Sequence, residues 1–334
     1  MSENIKSNSK IDSSIIPFIL NKYGMEGLEK LVGSYALAIY HEGRFYLACN
    51  YKPIFLKITK ETIFFSSLEK YLRESYKDNI FKLPAYSLYE IDVDTLELKE
   101  IYKRKNKRDK VLVICSGGLD SAIVATKYVR EKKDVTLLHF LYGCRSEEKE
   151  KESIKKIAER FKINYKFLDV TNLFKGEIKG SRLTNTYEEL MTDKKGEKSA
   201  ELAYEWVPCR NLVFYSISLA FAESYNYDVI ALGNNLEESG AYPDNEMIFT
   251  EIFKQIIPYA VNLNKNINVE QPVGNLMKHE IVKLGLELKA PLDLTWSCYN
   301  LGEKHCGTCG PCYMRRKAFQ INEVEEVIKY EDEK

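Results

Sequence analysis

The sequence predicts an α/β protein built on a doubly wound parallel sheet, with a small β-rich α+β domain before it. From residue 110 onward, short apolar strands alternate with helices, which is the pattern of a parallel sheet. Residues 34–102 instead hold short strands separated by tight polar turns, which is antiparallel spacing. Four cysteines near the C-terminus add a predicted Cys₄ zinc site.

Composition narrows the class of protein. The 334 residues have a formal net charge of zero, which argues against non-specific nucleic-acid binding because that requires a basic surface. The polar start of the chain lacks the apolar core of a signal peptide, and the longest apolar runs are strand-length, well short of a membrane span. We therefore expect a cytoplasmic protein without a membrane partner, in which eight cysteines indicate metal binding or catalysis rather than disulfides.

The first part of the chain is predicted to hold a disordered tail over residues 1–14 and a domain over residues 15–103. Its expected helices are residues 15–31, interrupted by Gly24 and Gly27, and residues 68–77. Its expected strands cover residues 34–40, 44–50, 54–58, 62–66, 85–93 and 97–102. Seven of the twelve residues 99–110 are Lys or Arg, and we interpret residues 104–109 as a solvated linker in preference to a functional basic patch.

The second domain is predicted to span residues 110–334. Its expected strands are residues 111–115, 135–142, 165–169 and 229–232, and its expected helices are residues 119–131, 147–161 and 211–224. The polar stretch 171–205 lacks a regular pattern, which is typical of a lid or an active-site loop.

The sequence SGGLDS at residues 116–121 follows a buried strand and opens a helix. Glycines let the backbone N–H groups approach an anion, and the helix N-terminus adds partial positive charge. Ser116 and Ser121 offer hydroxyl donors. Asp120 suits an anion site only if a cation such as Mg²⁺ lies between its carboxylate and the bound anion. The loop is not a Walker A motif, because GxxxxGK[ST] is absent.

SGGLDS resembles the pyrophosphate loop (PP-loop) of the ATP pyrophosphatases, which have the adenine nucleotide alpha hydrolase-like fold. The resemblance implies that ATP is cleaved between its α- and β-phosphates and that the substrate is adenylated. His139 ends the next strand, where this fold usually holds adenine, although a single histidine there is more often a packed core residue. The expected ATP-binding residues are Cys115, Ser116, Gly117, Gly118, Leu119, Asp120, Ser121, His139 and Gly233.

Cys298, Cys306, Cys309 and Cys312 are spaced C-x7-C-x2-C-x2-C, which can close a tetrahedral S₄ site. Zn²⁺ is favoured because it is redox-inert and takes four thiolates in structural sites. An iron–sulfur cluster is the alternative, and His305 could replace one thiolate. A closed Cys₄ site has no open position, so we expect a structural role.

Six segments, in order over residues 110–319, resemble the QueC family of 7-cyano-7-deazaguanine synthases. They are SGGLDS, LHFLYGCRSEEKE, WVPCRNLVFYSISLAFAE, ALGNNLEESGAYPDN, KHEIVKLGLELKAPLDLTWSCYN and HCGTCGPCYMRRKAF. The resemblance implies that a 7-carboxy-7-deazaguanine is adenylated, that ammonia gives the amide, and that a second ATP gives the nitrile. It also implies a homodimer. The implied catalytic residues are Asp120, Ser121 and Lys278, and the implied substrate-binding residues are Arg210, Asn211, Glu237, Tyr242 and Asp244.

Two departures from the family bear on function. The family usually reads YGQRH where this chain has Tyr142-Gly143-Cys144-Arg145-Ser146, so the substrate or the nucleophile could differ. The segment LVGSYALAIYHEGRFYLACNYKPIFLKITKETIFFSSLEKYL resembles part of the glutamine-hydrolysing domain of asparagine synthetases. That family uses an N-terminal cysteine, whereas the first cysteine here is Cys49 within a strand. We expect a degenerate domain that makes no ammonia and that positions a partner protein.

Four hypotheses follow from these patterns. The first is the deazaguanine nitrile or amide synthase. The second is an enzyme of the same chemistry, in a bacterial defence system, that joins the activated deazaguanine to an amine of a partner protein. The third is a nucleotide-sensing module without catalysis, which the intact SGGLDS loop argues against. The fourth is a sulfur-transferring tRNA enzyme, which the neutral charge and the TWSCYN match argue against.

Overall fold

The computed structural model describes residues 14–31, 34–50, 52–103, 110–178, 181, 183–184, 205–262 and 265–331. The predicted tail, apart from Ser14, the basic linker 104–109 and most of the predicted lid 171–205 lie outside the described residues. Two compact units can be distinguished, one formed by residues 1–106 and 258–266 and the other by residues 107–257 and 267–334. No helix in the described part of the chain is long and apolar enough to cross a membrane.

The first unit begins with two short helices where the sequence predicts one interrupted helix. Helix α1 (Ile15–Tyr23) ends at Gly24, and a 3₁₀ helix (Met25–Lys30) follows. Gly24 has a φ of 65°, a left-handed conformation that glycine adopts readily and that ends the α-helical hydrogen bonding. The break predicted at this glycine is therefore found in the structure.

Seven short strands of the first unit form two antiparallel sheets. One has the order β1-β2-β6-β7 and the other β4-β3-β5. The bounds are β1 (Ala36–His41), β2 (Arg44–Cys49), β3 (Phe55–Ile58), β4 (Ile63–Ser66), helix α2 (Glu69–Arg73), β5 (Ile80–Lys82), β6 (Ser87–Ile91) and β7 (Leu98–Lys103). Strand β5 was not predicted, because its three residues, Ile80–Lys82, show neither an alternating nor a wholly apolar pattern.

The cores of the first unit come from the inward faces of these strands. Ala48 and Leu88 pack in one cluster, and Leu47 and Leu56 pack in another. Cys49 is 1% exposed and belongs to the second cluster, in agreement with its predicted place within a strand. The likeness of this segment to a glutamine-hydrolysing domain stays a prediction.

The second unit is built on a five-stranded parallel sheet of order β10-β9-β8-β11-β12. Its strands are β8 (Lys110–Ile114), β9 (Asp134–Leu141), β10 (Asn164–Asp169), β11 (Val229–Ala231) and β12 (Asn268–Glu270). Strand β8 lies in the centre, with β9 on one side and β11 on the other. The strand order thus reverses at β8, and a crevice opens at the carboxyl end of such a strand. The predicted parallel sheet is confirmed.

Helices connect the strands of this unit. They are α3 (Leu119–Arg130), α4 (Glu147–Phe161), α5 (Arg210–Tyr225), α6 (Leu236–Ser239), α7 (Met247–Ala260), α8 (Lys278–Leu288) and α9 (Gly310–Ile321). The core contains fully buried residues of β8 and α3, among them Val111 and Ile123, together with Ile281 of α8. Helix α3 therefore begins at the crevice and is held there by packing along its length.

Candidate active site

A cleft of about 230 Å³ lies at the carboxyl ends of β8, β9 and β11. The sequence prediction named eleven of the residues that line it. They are Cys115, Ser116, Gly118, Leu119, Asp120, Ser121, His139, Arg210, Asn211, Gly233 and Lys278. Residues scattered over more than 160 positions of the sequence are therefore brought together in one site of the second unit.

The SGGLDS loop forms one edge of the cleft and leads directly into α3. Gly117 has a φ of 75°, and a Cβ there would lie 2.8 Å from the backbone oxygen of Glu150. Gly233 is held as closely, because its Cβ would lie 2.8 Å from the backbone nitrogen of Ser121. Both positions require glycine for steric reasons. The loop lines the cleft at the N-terminus of α3, where backbone N–H groups can bind an anion.

A buried lysine joins two carboxylates on this loop side of the cleft. Lys278 Nζ donates to Asp120 Oδ2 at 2.5 Å and to Glu238 Oε1 at 2.8 Å. Asn235 Nδ2 also donates to Asp120 Oδ2, at 3.2 Å. Burial alone would lower the pKa of Lys278, but the two carboxylates more than offset it and raise that pKa. The lysine is therefore charged in this network, whereas burial raises the pKa of Asp120 against the opposing effect of the lysine.

One oxygen of this network has no partner in the part of the chain that the structure describes. Asp120 Oδ1 is buried and makes no hydrogen bond to any residue that the structure describes. A buried carboxylate oxygen of this kind is costly unless something else satisfies it. A hard cation such as Mg²⁺ prefers carboxylate oxygen, so Asp120 fits the cation that the sequence prediction required.

A second side of the cleft is formed by the end of β9 and by the start of α4, which packs against the SGGLDS loop. His139 and Glu150 line it and are 3% and 7% exposed. Phe140 stacks on Phe214 with ring centroids 4.1 Å apart. Cys144 and Ser146, the two departures from the family pattern, are buried beside Glu150, and Ser146 Oγ donates to Glu150 Oε1 at 2.6 Å.

Arg210 and Asn211 enter the cleft from the first turn of α5. Arg210 Nη1 donates to the hydroxyl of Tyr142 at 3.4 Å, and Asn211 Nδ2 donates to Asn245 Oδ1 at 3.0 Å. Cys209, just before them, has a φ of 53°, an unfavourable conformation for a residue other than glycine. The chain thus reaches α5 through a strained turn that fixes where the two side chains point.

Four predicted site residues do not line the cleft. They are Gly117, Glu237, Tyr242 and Asp244. Glu237 Oε2 accepts the backbone N–H of Lys278 at 2.8 Å, and its neighbour Glu238 faces the cleft instead. Tyr242 stacks against Trp206 with ring centroids 6.2 Å apart. Asp244 is near enough to Arg210 to interact with its charge.

The sequence prediction also missed residues that do line the cleft. Glu150, Phe214, Trp296, Tyr299 and Arg315 are among them. Glu150 lies in the acidic run EEKEKE, which gives no signal that one of its members is buried. Trp296 and Tyr299 flank Cys298 in TWSCYN, so the family motif could have indicated them.

The four predicted cysteine ligands form a cluster in which all sulfur atoms lie within 4.8 Å of one another. Cys298 and Cys309 Sγ are 3.9 Å apart, and Cys306 and Cys312 Sγ are 4.0 Å apart. A regular tetrahedron with Zn–S bonds of ~2.3 Å has S–S edges of about 3.8 Å, so the geometry fits zinc. His305 Nε2 accepts the backbone N–H of Ser297 at 2.9 Å and is not part of the cluster.

The cysteine cluster is linked to the cleft by the chain itself. Cys298 lies between Trp296 and Tyr299, and Cys312 lies at the start of α9, next to Pro311. All three of these neighbours line the cleft. The indole N–H of Trp296 donates to the backbone oxygen of Cys298 at 2.7 Å. A metal held by the four sulfurs would therefore fix one side of the cleft as well as the C-terminal segment.

Comparisons with known proteins identify the family of the chain. Residues 110–323 match the family model described as queuosine biosynthesis protein QueC. A 7-cyano-7-deazaguanine synthase 2 of Sulfurisphaera tokodaii is 49% identical over 98% of this chain and 74% of its own length. A 7-cyano-7-deazaguanine synthase of Sulfolobus acidocaldarius is 46% identical over 97% of this chain and 72% of its own length.

A shorter relative matches about two thirds of the chain. The 7-cyano-7-deazaguanine synthase of Methanothrix thermoacetophila is 36% identical over 66% of this chain and 99% of its own length. Among solved structures, the NMN synthetase from Francisella tularensis is 14% identical over 66% of this chain, with a TM-score of 0.33 that is too low to support an argument. On the family match and the identities above, the chain belongs to the QueC family, a family of enzymes.

Proposed function

We propose that this chain is a 7-cyano-7-deazaguanine synthase that uses ATP to activate a carboxylate of the 7-carboxy-7-deazaguanine type. The observation that carries the proposal is the joining of the SGGLDS loop to the Asp120–Lys278–Glu238 network at a single cleft. Family membership and the names of the relatives support the choice of substrate. Activation is needed because a carboxylate is a poor electrophile and AMP turns one of its oxygens into a leaving group.

The ATP phosphates would lie along the SGGLDS loop and the N-terminus of α3. Backbone N–H groups, the hydroxyl of Ser116 and that of Ser121 can donate to phosphate oxygens there. Asp120 Oδ1 would hold Mg²⁺, which offsets the charge brought together when two anions meet. Lys278 supplies fixed positive charge at the same place, where charge develops as pyrophosphate departs.

The base of the substrate would bind beside Arg210 and Asn211. Both side chains line the cleft, and Glu238 can pair with the N1–H and exocyclic amine of a guanine-like ring. Glu238 replaces the predicted Glu237 in this role, because it is the one that faces the cleft. Tyr242 and Asp244 would support Arg210 from behind.

The cysteine cluster would hold a structural zinc ion. Four sulfur donors leave no position for substrate, so the ion would keep Trp296 and Tyr299 in place and take no part in the reaction.

Mass spectrometry of the full chain with ATP, Mg²⁺, 7-carboxy-7-deazaguanine and ammonium tests the proposal by following AMP and the nucleobase together. We expect AMP together with the amide and the nitrile. Lys278→Met should lower AMP formation by about 10²–10³-fold, since one electrostatic donor is lost. Lys283→Met, at an exposed position of the same helix, serves as the matched control.

The outcomes separate the hypotheses. AMP without amide or nitrile means that activation occurs but another amine, such as one on a partner protein, is the acceptor. Formation of neither AMP nor a modified base contradicts the proposal.

A further inference from the structure

The cleft contains a buried carboxyl group that forms no ion pair with a lysine or arginine among the described residues, although the charge of Arg210 acts on it from farther away. Glu150 Oε1 accepts from Ser146 Oγ at 2.6 Å, whereas Oε2 lies 3.8 Å from His139 Nε2 and 3.9 Å from Cys144 Sγ. Among the described residues, no lysine or arginine nitrogen lies within 4.0 Å of Glu150. A charged carboxylate in such a place would be costly to bury.

His139, beside it, carries a free ring nitrogen. Its Nδ1 donates to the backbone oxygen of Cys115 at 2.9 Å, because a carbonyl oxygen can only accept. This fixes the tautomer and leaves Nε2 as an unprotonated acceptor, which has no hydrogen-bond partner in the part of the chain that the structure describes. Burial lowers the pKa of His139 to about 4, so the ring is neutral near pH 7.

The surroundings of Glu150 raise its pKa toward neutrality. Burial raises the pKa to about 7, against the opposing hydrogen bond from Ser146 and the opposing charge of Arg210. The titratable and charged groups that face it, from β8, β9, the loop after β9, α4 and α5, are Cys115, His139, Tyr142, Cys144, Glu147 and Arg210. A group in this state can take up a proton during a reaction and lose it again.

The proposed reaction requires such an acceptor. When ammonia attacks the acyl adenylate, a C–N bond forms, the C–O bond to AMP breaks, and AMP leaves with the electron pair. The nitrogen then carries one proton too many. Three described residues of the cleft have carboxyl groups, and two of them, Asp120 and Glu238, are held by Lys278. Glu150 is the one of the three that no lysine holds.

We propose that Glu150 is a catalytic residue that accepts the proton lost by the amine as it displaces AMP. Ser146 holds the carboxylate in position, and the unprotonated Nε2 of His139 lies 3.8 Å from Glu150 Oε2 and places no competing proton beside it. This assignment rests on the proposed function. It also gives a role to the two departures from the family pattern, because Cys144 and Ser146 are the residues packed against Glu150.

Two half-reactions separate this role from adenylation and from folding. ATP–pyrophosphate exchange with the carboxylate substrate measures adenylation alone, and amide formation at fixed free ammonia measures the attack. We expect Glu150→Gln to keep exchange within about twofold of the wild type. Amide formation should fall by about 10²-fold or more, which is the usual contribution of general base catalysis. Glu159→Gln, at an exposed position of the same helix, should change neither rate.

The pH dependence provides the second readout. With rates expressed per free ammonia, wild-type amide formation should rise with pH up to about 7, and Glu150→Gln should lose this rise. The assignment would be overturned if Glu150→Gln formed the amide at the wild-type rate and kept the wild-type pH profile. Loss of exchange together with amide formation would overturn it as well, because Glu150 would then act in folding or adenylation. Absence of exchange in the wild type would instead overturn the proposed function itself.

Discussion

The two sides of the cleft differ in whether their buried carboxyl groups are paired with a cation. On the loop side, Asp120 and Glu238 share Lys278 at hydrogen-bonding distance. On the α4 side, Glu150 has a serine hydroxyl and a neutral histidine near it and no cation within ion-pair distance among the described residues. The paired side offers fixed charge, which suits phosphate binding. The unpaired side offers a group that changes its charge near pH 7, which suits proton transfer.

Removing the metal should produce the largest loss of stability, and it should affect both sides of the cleft equally. Trp296 and Tyr299 flank Cys298 and line the cleft, so loss of the ion should disturb both half-reactions together. We expect one zinc ion per chain by elemental analysis. Chelation should lower the free energy of unfolding by at least about 5 kcal/mol, since metal binding to such sites is coupled to folding.

Circular dichroism melts with and without a strong chelator measure this change. Zinc restored after chelation should recover both half-reactions in parallel. Recovery of one half-reaction without the other would mean that the ion acts on one side of the cleft alone.

Breaking the paired side should be the next largest effect. Lys278→Met leaves Asp120 and Glu238 without their cation, and breaking a buried pair in this way costs about 3–5 kcal/mol. Urea denaturation of Lys278→Met measures the cost, and Lys283→Met should stay within about 0.5 kcal/mol of the wild type. A loss below about 1 kcal/mol would mean that the two carboxylates do not depend on the lysine.

Replacing Glu150 by Gln should change the stability in the opposite direction, because it removes a carboxyl group that is costly to bury when charged. The pKa of Glu150 is raised to about 7 in the folded chain, so the folded state keeps a proton that the unfolded state has already lost. The contribution of Glu150 to wild-type stability should therefore fall as pH rises from about 4.5 to 7, by about 3 kcal/mol in total. Glu150→Gln lacks this dependence and should be more stable than the wild type at pH 8 and close to it at pH 4.5.

Urea denaturation at several pH values measures the difference between the two proteins, and Glu159→Gln serves as the exposed control. Equal stability of Glu150→Gln and the wild type at every pH would show that the carboxyl group is not penalised by burial. The contrast between the two sides would then disappear.

Local patterns predicted much of this molecule. The strand, the SGGLDS loop and the helix after it lie next to one another in the sequence, so their order alone indicated a phosphate site. The CxxC spacing likewise determines a sulfur cluster over a few residues. Strands β5 and β12 have three residues each and include charged side chains, so they were missed, whereas the equally short but wholly apolar β11 was predicted.

The missed parts of the site depend on direction and packing. Glu237 and Glu238 are adjacent on helix α6, and a step of one residue turns a helix by about 100°, which decides the one that faces the cleft. Glu150 reads as one charge among many on a surface helix. Its burial appears only when α4 packs over the phosphate loop, through contacts between residues more than thirty positions apart such as Ser153 with Gly117.

The close approach of Gly117 to the backbone of Glu150 has an engineering consequence. A single methyl group at Gly117 would lie 2.8 Å from that carbonyl oxygen, so the loop and the first turns of α4 are too closely packed to admit a side chain there. Libraries that vary the loop and the helix separately would then sample mostly colliding backbones. A library that adapts this site to a new carboxylate should keep the sequences of the loop and of α4 together and should vary residues of α5.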